Sequence, residues 1–276
     1  MNFLFWNTKN KDKSQEIAEL FLESGCEIAA FAEYNSDDRA ILAKLLKKHC
    51  PSYFLPNIGC TGIKILTKRR LSDFSIKFET ERITVRELKS PGLLSTLICV
   101  VHLPSKLYMS EDDQNSEARY LKQDIEMCET EAGHDNTLIF GDFNMNPFDS
   151  GMYFADALHS VPCKVVAAKG HRTVSGRQHK FFYNPSWNLL GDRNSSPGTY
   201  YFKSGSYSRM HWNVLDQVIM RPSLADRYSN GSLKTVACTA TTAFTDHHKR
   251  PIVSDHLPIT FDINLNMEIS HEELMA

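Results

Sequence analysis

The sequence predicts an α/β fold of two mixed sheets packed face to face with helices on the outside. Three observations point there. Apolar and amphipathic runs alternate at the start, and short β-branched segments separated by turn residues follow through the middle. No Pro/Ser/Gly-rich linker or fixed-period repeat divides the chain, so one domain over 1–265 is expected, followed by a polar tail over 266–276 that frays.

Phe3-Leu4-Phe5-Trp6 reads as a short buried strand, and Ser14 to Ser24 carries Ile17, Leu20 and Phe21 at the spacing of a helix face. Ile28 to Phe31 reads as a second buried strand, and Asp37 to His49 as a second helix stopped by Pro51. Between Gly62 and Leu103, the segments Ile63 to Leu66, Phe74 to Phe78, Ile83 to Leu88 and Leu93 to Val101 form a run of antiparallel strands. Glu117 to Glu129 returns to helical spacing, and Thr137 to Phe140 is a buried strand. Further strands fall near His179 to Tyr183, Tyr200 to Phe202, Val214 to Met220 and Leu257 to Ile263. Pro185 to Asn213 is the longest irregular stretch, and loops of that length are usually functional or mobile.

The chain has 276 residues, 42% of them hydrophobic and 23% charged, which excludes disorder as its main state. A chain of this length buries roughly three quarters of its unfolded surface, so any metal is functional rather than a folding staple. The net charge of −2 excludes an architectural nucleic-acid binder, whose footprint is strongly basic, and leaves a local basic cleft open. Seven scattered cysteines without a CxxC pair indicate neither a disulfide framework nor a zinc ribbon, but reduced thiols in a cytoplasmic protein. Met1 to Asn7 lacks the basic start of a secretory signal, and no apolar stretch is long enough to span a bilayer.

The chemistry sits in polar residues that end or interrupt buried strands. Asn7 follows Phe3 to Trp6, Glu33 follows Ile28 to Ala32, His102 follows Leu97 to Val101, and Asp142 and Asn144 follow Leu138 to Phe140. Asp216 lies within Val214 to Ile219, and Asp255-His256 precedes Leu257. Each alone reads as a turn or cap residue. Together they read differently, because strand ends of an α/β sheet open into a shared crevice where carboxylates, amides and imidazoles converge. In extended backbone Asp142 and Asn144 face one way, and Gly141 allows close backbone approach. A hard divalent cation prefers oxygen ligands of the kind Glu33, Asn7 and Asp255 supply, so the set suits a metal-assisted hydrolase.

The motifs Trp6-Asn7, Ala32-Glu33, Val101-His102-Leu103, Gly141-Asp142-Phe143-Asn144, Leu215-Asp216-Gln217 and Ser254-Asp255-His256-Leu257-Pro258 resemble, in order, those of the endonuclease/exonuclease/phosphatase superfamily. They run from residue 6 to residue 258, nearly the whole chain. The resemblance implies a four-layer α/β sandwich and Mg²⁺-dependent phosphoester hydrolysis, with Mn²⁺ a substitute. It further implies that Glu33 is a direct metal ligand, with Asn7 beside it and Asp255 near the metal. Asp142 then orients or deprotonates the attacking water, Asn144 holds the phosphate, and His256, oriented by Asp216, contacts the phosphate or acts as base. His102 resembles the deoxyribonuclease I and sphingomyelinase branches, whereas abasic-site endonucleases tend to carry tyrosine there.

The expected activity is phosphodiester hydrolysis of nucleic acid, DNA ahead of RNA. The alternative within enzymes is a phosphatase or phosphodiesterase for a small-molecule or lipid-headgroup ester. A catalytically silent binding protein is disfavoured because Glu33, Asp142 and His256 are all chemically competent. The aromatic segments Phe181 to Trp187 and Pro197 to Phe202, flanked by Arg193, Lys203 and Arg209, read either as a base-stacking surface with Asn184 and Trp187 as substrate contacts or as a packed loop. Arg82 and Arg86 share a strand face that meets either the cleft or solvent.

Overall fold

The computed structural model describes residues 1–107, 109–192, 195–205 and 210–267. Arg193 and Arg209 of the aromatic segment, and 268–276 of the expected tail, lie outside the described residues. The first half of the chain holds β1 (Asn2–Asn7), α1 (Ser14–Glu23), β2 (Ile28–Ala32), α2 (Asp38–Lys47), β3 (Tyr53–Phe54) and β4 (Ile63–Thr67). It continues through β5 (Phe74–Thr80), β6 (Ile83–Leu88), β7 (Thr96–His102), α3 (Glu111–Ala132) and β8 (Thr137–Asp142). The second half adds α4 (Ser150–Tyr153), β9 (Ser160–Val161), α5 (Lys164–Ala167), β10 (His171–Val174), β11 (Arg177–Lys180) and β12 (Phe182–Tyr183). Last come β13 (Tyr200–Tyr201), β14 (Trp212–Asn213), β15 (Asp216–Met220), α6 (Pro222–Ala225), β16 (Lys234–Thr235) and β17 (Ile259–Asp262).

Two large mixed sheets result, one in the order β16-β17-β1-β2-β4-β3 and the other in the order β5-β6-β7-β8-β15-β12-β9. Two crossovers set the frame: α1 carries β1 into parallel β2, and α3 carries β7 into parallel β8. Side chains alternate across each strand, which divides the apolar residues into three cores. Phe3, Phe5, Ile98, Phe140, Val218 and Phe261 fill the space between the sheets. Leu4, Trp6, Ala29 and Phe31 face outward onto Ile17 and Phe21 of α1 and Ile41 and Leu45 of α2. Leu97, Cys99, Val101 and Ile139 face outward onto Leu121, Ile125 and Cys128 of α3. Three cores between four layers give the expected α/β sandwich.

Helix α3 starts six residues before the expected Glu117. Its first turns, Glu111-Asp112-Asp113, carry no apolar rhythm, but Ser110 and Asp113 form a reciprocal capping box that begins the helix, and Gly133 at φ 73° ends it. The expected tail boundary also moves. Asn266 bridges to Leu93 and the Met267 amide donates to the Gly92 carbonyl, so both residues are held to the body rather than frayed. Among the described residues no helix is long and apolar enough to cross a membrane.

Candidate active site

The register brings the strand ends together. Asn7 pairs with Ala32 across β1 and β2, and Glu33 follows at once. His102 pairs with Asp142 across β7 and β8, and Asp142 pairs with Asp216 across β8 and β15. Parallel strands end and antiparallel neighbours begin at the same edge, so both sheets deliver their terminal side chains to one cleft. Gly141 makes the closest approach: its φ is 145°, and a Cβ there would run into the Val101 carbonyl oxygen.

Asp142 is the centre, 1% exposed. Its Oδ1 accepts from the Asn144 amide at 2.9 Å, and its Oδ2 from Asn7 Nδ2 at 3.0 Å. The same Oδ2 lies 3.9 Å from His102 Nε2 and 3.9 Å from His256 Nε2. Asn7 Nδ2 also donates to Glu33 Oε1 at 3.2 Å, while Glu33 Oε2 accepts from Asn10 Nδ2 at 3.0 Å. His102 Nε2 stands 3.6 Å from Glu33 Oε1. Glu33 and Asn144 adopt the left-handed backbone region, at φ 48° and 51°, a conformation that costs a non-glycine residue about 1 kcal/mol or more and is kept where surroundings impose it.

His256 is clamped from every side. Its Nδ1 donates to both oxygens of Asp216, at 2.8 and 3.1 Å, and Asp216 is wholly buried. The Leu215 and Asp216 amides in turn donate to Thr199 Oγ1. Trp6 Nε1 donates to the His256 carbonyl at 3.0 Å, and Ser254 Oγ donates to the Asn7 carbonyl at 2.7 Å, tying the Ser-Asp-His segment to the end of β1. The Tyr200 ring packs on the imidazole at 4.7 Å between centroids. Burial alone would pull the imidazole down, but the carboxylates of Asp216 and Asp142 outweigh it and push it up, so His256 stays cationic at neutral pH.

Asp142, Asp216 and His256 present atoms within 4.8 Å of one another, the spacing of a metal site. In that trio Nδ1 of His256 is already committed to both oxygens of Asp216, which leaves the imidazole only Nε2 to offer. The oxygen donors facing the cleft fit better. Among the described residues no lysine or arginine pairs with Glu33 or Asp142. Glu33 and Asp142 therefore supply hard carboxylate oxygens whose negative charge suits a divalent cation, while Asn7 turns its Nδ2 to both of them and its Oδ1 to the Lys9 amide. Asp255 stands apart from them in one respect: Lys9 Nζ pairs with it at 2.8 Å. Burial pushes the Asp255 carboxyl up, yet Lys9 and the His256 charge override that and hold it below the usual range.

The cleft has a volume of about 630 Å³ and is lined by Glu33, His102, Asp142, Asn144, Asp255 and His256 among others. Arg82 joins that lining, whereas Arg86 is buried in an ion pair with Glu79. Asn144 anchors its amide on the Leu103 carbonyl at 2.8 Å. Two expected contacts are elsewhere. Asn184 is wholly buried, caps the short helical turn Pro185–Leu189 and donates to Gln217 Oε1, so it holds the core and has no face on the cleft. Trp187 lines a neighbouring groove.

Sequence reasoning missed Lys9, Asn10 and Asn146. Asn146 accepts from the Val214 amide and donates to Asn213 Oδ1, joining the loop after β8 to the strand that carries Asp216. Its signal was present, since it continues the alternation of Asp142 and Asn144 by two residues.

This fold is that of the endonuclease/exonuclease/phosphatase proteins. No protein-family model matches the chain, and no curated protein does. Among solved structures it is similar to truncated TDP2 of Caenorhabditis elegans, at 18% identity and a TM-score of 0.53 over 94% of this chain and 96% of that one. It is also similar to the 3′ phosphatase NExo of Neisseria, bound to a product DNA hairpin, at 14% identity and a TM-score of 0.56 over 96% and 99%. The human Nocturnin catalytic domain aligns at 16% identity and a TM-score of 0.52 over 96% and 94%.

Proposed function

We propose that this protein is a divalent-metal-dependent phosphodiesterase acting on nucleic acid, DNA ahead of RNA, with Mg²⁺ its ion and Mn²⁺ a substitute. The observation that carries the reading is the convergence of Asn7, Glu33, His102 and His256 on the buried carboxylate of Asp142 at the ends of both sheets. The DNA hairpin held by the Neisseria neighbour supports the choice of substrate. The seven free cysteines, two of them exposed, accord with a reducing cytoplasmic setting.

Glu33 would hold the ion, with Asn7 beside it and Asp142 and Asp255 on its flanks. A bound divalent ion withdraws charge from phosphate oxygens and acidifies water. Asp142, fixed by two hydrogen bonds, takes the proton of the attacking water. His256, with Nδ1 committed to Asp216, donates from Nε2 to a phosphate oxygen and meets the charge that grows there. His102 places its Nε2 beside the Glu33 and Asp142 carboxylates, and Asn144 positions the phosphate.

Nicking of supercoiled plasmid tests the reading. Mg²⁺ should support it and EDTA abolish it, and Asp142→Asn and His256→Ala should each slow it by about 10² to 10⁴. A folded wild-type protein that nicks no plasmid with either metal would overturn the DNA assignment.

A further inference from the structure

Beside the cleft lies a groove of about 810 Å³, lined by Phe148, Tyr153, Phe154, His159, Arg172 and Trp187 among others. Phe148 also lines the catalytic cleft, so the two share a wall. Phe148, Tyr153 and Phe154 are 39%, 46% and 40% exposed, an apolar surface that the core does not require. Their rings meet edge to face, Phe148 with Trp187 at 6.4 Å and Tyr153 with Phe154 at 5.0 Å. Phe148, Tyr153 and Phe154 remain partly exposed beside these contacts, which leaves ring surface for a further flat ring.

Two buried polar atoms of these residues, His159 Nε2 and Trp187 Nε1, have no hydrogen-bond partner among the described residues. His159 is 1% exposed and its Nδ1 lies 3.2 Å from the Lys180 carbonyl. A carbonyl only accepts, so Nδ1 carries the proton and Nε2 is a bare acceptor. Burial holds the ring near 4, well below the usual histidine range, so it is neutral at physiological pH. Trp187 Nε1 can only donate. The groove therefore combines exposed aromatic rings with the cation of Arg172, over a wall that holds the buried His159 and Trp187 nitrogens. A nucleobase offers a flat face for these rings, next to a phosphate for the arginine.

We propose that this groove is a base-binding subsite for an unpaired stretch of the nucleic-acid strand whose phosphodiester is cleaved next door, with Phe148 as the shared wall. The proposal rests on the nuclease reading above. It makes Trp187 a contact to the substrate strand at a distance from the reacting bond, and it gives the enzyme a preference for ends or gaps with single-stranded character.

The test compares three substrates: bis(p-nitrophenyl) phosphate, a thymidylyl dinucleotide and a long oligothymidylate, each with the wild type, Tyr153→Ala/Phe154→Ala and Trp187→Phe. The double variant changes exposed side chains, and turnover of the small ester reports that the fold and the chemistry survive. The KM for the long strand should rise roughly tenfold in the double variant and severalfold in Trp187→Phe, with the dinucleotide KM unmoved. Equal KM changes for the dinucleotide and the long strand, or none for either, would overturn the subsite while leaving the nuclease standing. A wild type that turns over the small ester but neither oligonucleotide would overturn the nuclease reading and the subsite with it.

Discussion

The two neighbouring cavities satisfy their polar groups in opposite ways. In the cleft, the buried polar side chains of Asn7, Asp142, Asp216 and His256 answer one another, and the result is a charged, fixed arrangement. In the wall of the groove, His159 Nε2 and Trp187 Nε1 are buried with no hydrogen-bond partner among the described residues, next to exposed aromatic rings. Preorganised charge is what a reaction needs, because stabilisation at the transition state is lost if dipoles must first reorient. Exposed aromatic surface beside a cation is what binding a flat, charged ligand needs. On the proposed reading the first region would set the chemistry and the second the substrate.

The harshest way to break the cleft is Gly141→Ala. The added Cβ meets the Val101 carbonyl oxygen and needs a backbone conformation unfavourable to alanine, so β7 and β8 must part beside His102 and Asp142. Thermal unfolding should show a loss above about 3 kcal/mol, and activity should fall with it. A variant with unchanged unfolding would mean that the two strands are not held this closely.

Asp216→Asn leaves the packing in place and removes the charge that fixes the imidazole proton on Nδ1. A fall in kcat of about 10² to 10⁴, with KM little changed, is expected in steady-state hydrolysis of a small phosphodiester. An unaltered kcat would remove Asp216 from the account of His256.

The groove gives a smaller effect that acts on stability. The His159 ring is held near 4 in the fold against 6.5 for a free imidazole, so the unfolded chain binds the extra proton first as pH falls. Its contribution is therefore present above about 6.5 and lost as the pH drops toward 4. Wild type should lose up to about 3 kcal/mol more than His159→Gln across that window in denaturant unfolding. Parallel pH profiles would show that the ring is not buried as a neutral group.

The cleft was largely legible because each of its residues ends or interrupts a run of buried apolar ones, and that position forces it to the sheet edge. Asn7, Glu33, His102, Asp142, Asp216 and His256 all met in this way. What escaped depends on partners far along the chain. The pairing of Lys9 with Asp255 spans most of the sequence, and no local pattern announces it. Asn184 failed for a related reason: a buried amide that caps a turn and bonds to Gln217 has the same sequence signature as an exposed loop contact. The early start of α3 was readable from Ser110 and Asp113, since a capping box marks a helix end even where apolar periodicity is silent.

On the proposed reading Glu33 would hold the cation, Asp142 would take the proton of the water, and His256, held by Asp216, would meet the phosphate without touching the ion. Calorimetric titration of Mn²⁺ into wild type, Glu33→Gln and Asp216→Asn tests it most directly. Glu33→Gln should weaken binding at least tenfold, and Asp216→Asn should bind within about twofold of the wild type. Binding lost in Asp216→Asn and kept in Glu33→Gln would place the ion in the Asp142, Asp216 and His256 trio and contradict the account.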